Sequence, residues 1–173
     1  MKRRKLTARN ADINRLYEES VQCTEFEVSF INKLFKRYNK TKCKSLREDF
    51  CASALISSEW VRDNKDNIAI AVDLDRTMIK EAKKTALSRL NSEQQKRIKI
   101  CYGDSSKFNT DKVDCILATN FSYFVFKQRK KLIDYFKHAY KQLKNRGIFM
   151  LDAFGGYEAV SYTHLTLPTT VSV

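Results

Sequence analysis

Three polar residues follow apolar segments at positions where they could bind a nucleoside and its reaction partner. Asp73 ends one short apolar segment, and a carboxylate there can accept hydrogen bonds from both hydroxyls of a ribose. Asp104 follows the next such segment and could bind an adenine amino group. Asn120 follows the one after that and could bind a substrate amine. Together they suggest a nucleoside-binding site with a reaction partner beside it.

Each of these residues also has an ordinary structural interpretation. An acid after a strand is more often a helix cap, and Asp75 suits the helix expected from Thr77. Gly103 and Asp104 suit a turn, and Asn120 suits a loop amide with its hydrogen bonds satisfied. The functional interpretation gains weight because all three positions fall on one edge of one predicted sheet.

That sheet follows from an alternation of short apolar segments and amphipathic segments. Helical spacing and strand-like runs predict helices over 12–21, 24–38, 53–62, 77–90 and 127–146, and strands over 46–51, 68–72, 97–102, 113–117 and 147–151. The helix from Thr24 would begin with a Thr24-x-x-Glu27 capping box. Such alternation predicts an α/β fold with a doubly wound, mostly parallel sheet, helices on both faces and helices preceding the first strand. Ligands bind such sheets at the carboxyl ends of the strands.

Composition excludes several classes of function. The chain has 173 residues and only two histidines, His138 and His164, which argues against serine, cysteine and zinc hydrolase sites. Its five cysteines are odd in number and form no C-x-x-C pair, so we expect reduced thiols, a cytoplasmic protein and no metal site. No uncharged apolar run approaches the ~18 residues of a transmembrane helix, and the basic start lacks the apolar stretch of a secretory signal.

The net charge of +13 is concentrated in two segments. Residues 1–9 carry five bases and no acid, and residues 127–146 carry eight bases and one acid. Nucleic acid is therefore an alternative partner. The pattern does not favour it, because the aromatic residues of 127–146, Tyr140 among them, fall on the predicted buried face of an amphipathic helix. The oligomeric state leaves no signal in the sequence.

The ends of the chain differ from its middle. We interpret residues 1–9 as a disordered basic arm and residues 10–159 as one domain, with a helical cap over 10–42 and a sheet-forming core over 43–159. Residues 160–173 carry no charge and resemble a translated transposase adapter used in sequencing libraries. We therefore expect this tail to be non-native and to add nothing to the fold, the natural sequence being cut short near Ala159.

Five short stretches together resemble the class I S-adenosylmethionine-dependent methyltransferases. They are Y-E-E-S-V-Q at 17–22, L-R-E-D-F-C-A-S-A at 46–54, V-D-L-D at 72–75, N-F-S-Y at 120–123 and L-D-A-F-G-G at 151–156. The second is similar to the first motif of a bacterial subgroup, which reads near L-R-E-D-F-C-G-T-A. The resemblance covers about residues 10–159 and implies a Rossmann-like fold, incomplete at its C-terminal end because the class has further strands after the fifth.

The resemblance also implies roles for individual residues, with S-adenosylmethionine as cofactor. It puts Glu48 and the turn with Phe50, Cys51 and Ala52 at the methionyl part of the cofactor, Asp73 and Leu74 at the ribose side, and Asp104 and Ser105 near adenine. The wall facing an unknown methyl acceptor would be residues 118–123, with Asn120 and Tyr123 as catalytic candidates and Tyr17 in a lid.

One departure from the wider class concerns glycine. The class has G-x-G-x-G where this chain has Phe50, Ala52 and Ala54. Glycine there permits a positive φ and a close approach of the backbone to the ligand. Because a fold alone does not settle function, the alternative is a non-catalytic binding domain on the same fold, touching RNA through the basic arm and the basic helix. A nicotinamide-dependent oxidoreductase is disfavoured, because its glycine fingerprint is missing.

Overall fold

The computed structural model describes residues 23–153. Five strands alternate with helices along this part of the chain. The strands are β1 (Ser45–Asp49), β2 (Ile68–Asp73), β3 (Ile98–Tyr102), β4 (Val113–Ala118) and β5 (Leu143–Leu151). The helices are α1 (Thr24–Asn39), α2 (Leu55–Asp63), α3 (Arg76–Ser88), α4 (Ser92–Gln95) and α5 (Arg129–Gln142), with a 3-10 turn at Ser122–Val125.

All five strands are parallel and lie in the order β3-β2-β1-β4-β5. The chain therefore runs outward from β1 to β3, returns to β4 beside β1, and then runs outward in the other direction. Sheets of this topology bind ligands at the carboxyl ends of the strands, where the strand order reverses. Here that point lies between β1 and β4. The predicted Rossmann-like, doubly wound sheet is confirmed.

Two apolar cores cover the two faces of the sheet. On one face α1, α2 and α3 contribute side chains such as Ile31, Trp60 and Ala82, all fully buried. On the other face Ala139 of α5 packs with Ile116 of β4 and its neighbours. Helices on both faces explain why the central strands show no alternation of apolar and polar residues.

β1 is the strand that periodicity supports least. Arg47, Glu48 and Asp49 give it three charges in five residues, yet all five residues are buried between β2 and β4. Charged side chains are almost never fully buried unless they are paired. Each of these three has hydrogen-bond partners inside the protein, which are described below.

Three local predictions need correction. Helix α1 has Cys23 as its N-cap, with no side-chain capping bond, so the predicted Thr24–Glu27 capping box is absent. The basic helix ends at Gln142 because β5 already begins at Leu143. Tyr140 does not lie on the buried face of α5, since its side chain is 78% exposed.

Other local predictions are confirmed or fall outside the described residues. Asp75 caps α3, where its carboxylate accepts from the backbone N–H of Thr77 at 2.7 Å and of Met78 at 3.2 Å. The basic arm, the helix over 12–21, Tyr17 and the tail over 160–173 lie outside residues 23–153. Between those limits, no helix is both long and apolar enough to cross a membrane.

Candidate functional site

The loop after β1 carries three left-handed residues that are not glycine. Phe50, Ala52 and Ala54 have φ values of 55°, 44° and 55°. A left-handed conformation costs an L-residue about 1–2 kcal/mol. Such strain persists where the surroundings over-determine the backbone, and it clusters at ligand sites. The loop therefore has a positive φ at all three positions that correspond to the glycines of G-x-G-x-G, although it has no glycine.

Hydrogen bonds to the backbone N–H groups hold this loop. The N–H of Phe50 donates to Ser105 Oγ at 3.3 Å, and that of Cys51 donates to the carbonyl of Val72 at 3.0 Å. The N–H of Ala52 donates to Asp73 Oδ2 at 2.8 Å. The ends of β2 and β3 thus fix the loop that follows β1.

Asp73 lies where the sequence predicts it, at the end of β2 and beside the β1 loop. Its second oxygen, Oδ1, accepts from the N–H of Asp75 at 2.8 Å. The side chain is only half-buried, and each oxygen retains a lone pair for a further donor. Leu74, next in the chain, is 62% exposed and offers an apolar surface at the same edge.

Glu48 and Cys51 lie beneath the loop and are buried. Glu48 Oε2 accepts from Ser57 at the start of α2, with the backbone N–H at 2.9 Å and Oγ at 2.5 Å. Burial raises the pKa of Glu48 to about 7, against the effect of those two bonds. Burial, together with the carboxylates of Glu48 and Asp73, raises the pKa of Cys51, so its thiol stays protonated and is a poor nucleophile.

The predicted adenine side contains Asp104 and Ser105, which have different surroundings. Asp104 is half-buried, and its Oδ1 accepts from the N–H and Oγ of Ser106 at 2.9 and 2.7 Å, as in the turn interpretation. Ser105 is buried, and its hydroxyl already accepts from Phe50. A direct contact with a cofactor is therefore open to Asp104 but not to the Ser105 hydroxyl.

The loop after β4 is held in a similar way. Asn120 and Phe121 have φ values of 57° and 54°, and their N–H groups donate to the two oxygens of Asp152 at 2.6 and 2.9 Å. Asp152 directly follows β5. Among the described residues, none hydrogen-bonds the side-chain amide of Asn120, which is half-buried. This leaves the amide available at the predicted acceptor wall.

Aromatic rings form the outer part of that wall. Phe121 and Phe124 stack at a centroid distance of 5.8 Å, and Tyr123 meets Phe124 edge-on at 4.9 Å. Tyr123 also lies 6.3 Å from Phe136 of α5 and is half-buried. Phe121 is 39% exposed.

Sequence reasoning missed two acidic residues of this edge. The sequence predicts a capping box for Glu27, yet its Oε2 is buried without a hydrogen-bond partner among the described residues. Burial and the charge of Asp152 raise the pKa of Glu27 to about 7. Asp152 stands at a strand end, the signal that identified Asp73, but no role was derived for it.

The carboxylates of this edge interact electrostatically. The charge of Asp152 raises the pKa of Glu27, and the charges of Glu27 and Asp73 raise the pKa of Glu48. Four acids therefore gather at this edge in a chain of net charge +13, an arrangement that favours a cationic ligand. No group of His, Cys, Asp and Glu suitable for a metal ion occurs within residues 23–153.

Comparisons with known proteins agree with this geometry. Residues 50–151, more than half of the chain, match the model of a family described as a methyltransferase domain. A search of curated proteins found no match. The family match begins at Phe50, the first left-handed residue of the loop after β1, and ends with β5.

Solved structures share the fold. An S-adenosylmethionine-dependent methyltransferase from Clostridium acetobutylicum is 20% identical, with a TM-score of 0.66 over 80% of this chain and 55% of that one. A sugar N-methyltransferase from Streptoalloteichus is 14% identical, with a TM-score of 0.66 over 89% and 58%. A glycopeptide N-methyltransferase solved with S-adenosylmethionine is 14% identical, with a TM-score of 0.59 over 72% and 53%. The chain spans little more than half the length of these proteins.

Proposed function

The chain belongs to the methyltransferase domain family, and we propose that it transfers a methyl group from S-adenosylmethionine to the amino group of a small acceptor. The observation that carries the proposal is the left-handed loop 50–54, whose Ala52 N–H is bonded to Asp73. Three non-glycine residues in this conformation are costly, so a backbone kept in this form points to a ligand that needs it.

The residues of this edge fit an adenosyl cofactor. Asp73 would hold the ribose hydroxyls, with Leu74 and Asp104 on the adenine side and the loop at the methionyl part. Ala52 and Ser53 are only half-buried, which leaves the loop backbone open to a ligand. When bound, S-adenosylmethionine supplies an electrophilic methyl group on a positively charged sulfur, and the acids gathered at this edge suit that cation.

Two observations support an amine as acceptor. Asp152 holds the loop after β4 and its charge acts on Glu27, so this pair of acids would attract an ammonium group. Two of the similar structures are named as a sugar N-methyltransferase and a glycopeptide N-methyltransferase. Asn120 would orient the amine with its side-chain amide, and Tyr123 would line the acceptor wall. Methyl transfer requires mainly such positioning.

Glu27 would take the proton that the amine must lose. A general base works best when its pKa lies near the operating pH, and the pKa of Glu27 is raised to about 7 by burial and by Asp152. The variant Glu27→Gln should therefore have a lower kcat/KM, with the largest loss at neutral pH. The pH profile of kcat/KM should also lose the ionisation near pH 7 on its acidic limb. An unchanged pH profile would exclude Glu27 as the base.

Tyr17 as a lid residue stays a prediction, since it lies outside the described residues.

A non-catalytic RNA-associated domain has less support, because the similar structures are methyltransferases. The reducing cytoplasm suits the five cysteines, which are all free.

Calorimetry and a transfer assay test the proposal. The 173-residue chain should bind S-adenosylmethionine and S-adenosylhomocysteine but not NAD. With labelled S-adenosylmethionine it should methylate an amino sugar, and it should leave the matched sugar with a hydroxyl in place of the amine unmodified. Binding of NAD, or transfer to the hydroxyl sugar alone, would overturn the proposed cofactor or acceptor respectively.

A further inference from the structure

A buried polar network lies directly beneath the loop 50–54. Arg47 and Asp49, in the central strand, have 0% and 1% of their surface exposed. Arg47 Nε donates to Asp49 Oδ1 at 2.7 Å, while Nη1 and Nη2 donate to the carbonyls of Phe108 and Ser105, both at 2.8 Å. Every nitrogen of the guanidinium group therefore has a partner.

The network extends to α5 through Asp49. Its second oxygen, Oδ2, accepts from the hydroxyl of Tyr135 at 2.9 Å. Burial raises the pKa of Asp49, and the neighbouring Arg47 and Tyr135 oppose that shift. A buried charge without partners is costly. A buried ion pair that keeps all of its hydrogen bonds therefore tolerates little change in the positions of its groups.

Both ends of the network reach Phe50, the first left-handed residue of the loop. Ser105, whose carbonyl is held by Arg47, accepts from the N–H of Phe50 with its Oγ. Tyr135 meets the Phe50 ring edge-on at a centroid distance of 5.6 Å. The backbone and the side chain of Phe50 are thus fixed by two residues that the same network positions.

We infer that Arg47, Ser105 and Tyr135 are positioning residues that hold the glycine-free loop in its left-handed conformation before any ligand binds. They would do the work that glycine does elsewhere in the family: glycine adopts this conformation without cost, whereas this chain must enforce it through contacts. The inference rests on the proposed function only in that the loop is taken as part of the cofactor site.

The inference predicts how Ala52→Gly behaves in two backgrounds. In the wild-type chain the loop is already held, so glycine relieves strain equally in the free and bound states and raises Tm with little change in affinity. Ser105→Ala releases Phe50 and lets the loop relax in the free state. Ligand affinity then falls, and Ala52→Gly restores part of it because the left-handed form is no longer disfavoured.

The experiment measures Tm and the binding of S-adenosylhomocysteine for the wild type, the two single variants and Ser105→Ala/Ala52→Gly. We expect Ser105→Ala to weaken binding by about threefold to tenfold, the effect of one hydrogen bond. Ala52→Gly should recover at least about half of that loss on a logarithmic scale, while in the wild type it should change affinity by less than about twofold. Its gain in Tm should be larger in the wild type than in Ser105→Ala.

Matched controls separate positioning from a general effect of lost polar groups. Ser45→Ala removes another buried serine hydroxyl, bonded to Asp114 at the opposite edge of the sheet, and should leave binding unchanged. Tyr135→Phe should weaken binding as Ser105→Ala does, whereas Tyr140→Phe on the exposed face of the same helix should not. If Ser105→Ala does not fold, the comparison of Tyr135→Phe with Tyr140→Phe tests the inference in its place.

The outcomes distinguish this inference from the proposed function. Three outcomes would overturn the inference. Ser105→Ala could bind the ligand as tightly as the wild type, or Ser45→Ala could lose as much affinity as Ser105→Ala. Alternatively, Ala52→Gly could raise the affinity equally in both backgrounds. If the wild type binds no S-adenosylhomocysteine, the proposed function fails. The Tm comparison needs no ligand, so an equal Tm gain in both backgrounds would then still overturn the inference by itself.

Discussion

Two loops at the carboxyl edge of the sheet hold non-glycine residues in a left-handed conformation, and they differ in how many contacts support them. The loop after β1 and the loop after β4 both contain left-handed residues that are not glycine. In each, an acid at the end of the adjacent outer strand accepts from backbone N–H groups: Asp73 from Ala52, and Asp152 from Asn120 and Phe121. In both loops a carboxylate thus holds backbone N–H groups beside residues that have a positive φ without being glycine.

The two loops differ in what surrounds them. Cys51 and Ala54 of the first loop are buried, and the network of Arg47 supports it from below. The second loop has Asp152 and exposed rings, with 48% of Phe124 accessible. A first loop with more supporting contacts suits a cofactor that is always the same. A less supported second loop suits an acceptor, whose shape differs between enzymes.

Replacing Asn120 tests the acceptor loop and carries the largest expected effect. Asn120→Ala should lower the rate of methyl transfer by ~10²-fold or more with little change in cofactor binding, the pattern of an interaction made mainly in the transition state. Single-turnover rates and calorimetry measure the two quantities. Asn120→Gly is the control, because it keeps the left-handed backbone without the amide. Equal losses of rate and binding would make Asn120 a cofactor residue, and no loss would return it to a loop amide.

Replacing Asp73 tests the cofactor loop. Asp73→Ala should weaken the binding of S-adenosylhomocysteine by about 1–3 kcal/mol, because ribose hydroxyls and the Ala52 N–H lose their acceptor. Asp73→Asn retains one acceptor oxygen and should lose less. Calorimetry measures both variants. Unchanged binding in Asp73→Ala would mean that the ligand lies elsewhere or is not a nucleoside.

The pH dependence of stability tests whether the first loop rests on a neutral Glu48. Burial raises the pKa of Glu48 from 4.5 to about 7, so the folded state binds the proton more tightly than the unfolded chain. Stability from this group is present at low pH and is lost as pH rises from about 4.5 towards 7. Between pH 5 and pH 7 the wild type should lose about 1–2 kcal/mol of unfolding free energy relative to Glu48→Gln, as measured by urea titration. A constant difference between the two proteins would refute the shift.

Replacing Asp152 has the smallest expected effect and probes the support of the second loop. Asp152→Asn leaves one of two N–H groups without an acceptor, so methyl transfer should fall about fivefold. Cofactor binding should change by less than about twofold, because no hydrogen bond joins Asp152 to residues 50–54 in the described part of the chain. A loss of binding as large as that in Asp73→Ala would show that the two loops act as one unit.

Much of the fold was predictable because its signals are local. The apolar segments after residue 67 gave strands within a few residues of β2, β3 and β4, and helical spacing gave α1 and α3. Glu27 and Tyr140 were misassigned for one reason. A capping motif and an amphipathic pattern describe what a helix favours in isolation, whereas neighbouring elements decide which side chain is buried.

The candidate site was predictable as a set of strand ends, and its acids at 73 and 104 lie there. The conformation of residues 50–54 was not predictable, because phenylalanine and alanine disfavour a positive φ. The partners that impose it are distant in sequence: Arg47 and Ser105 are 58 residues apart, and Asp49 and Tyr135 are 86 apart.

The sequence by itself determined the order of helices and strands, the edge of the sheet that carries polar residues, and the likeness to methyltransferases. These follow from periodicity, connectivity and short motifs, which need no knowledge of distant contacts. Only the tertiary structure decided that three charges could lie in the central strand and that a loop without glycine could keep a glycine-like path. Both depend on hydrogen bonds between segments far apart in the chain, because a buried charge or a left-handed alanine is stable only where several partners meet it at once.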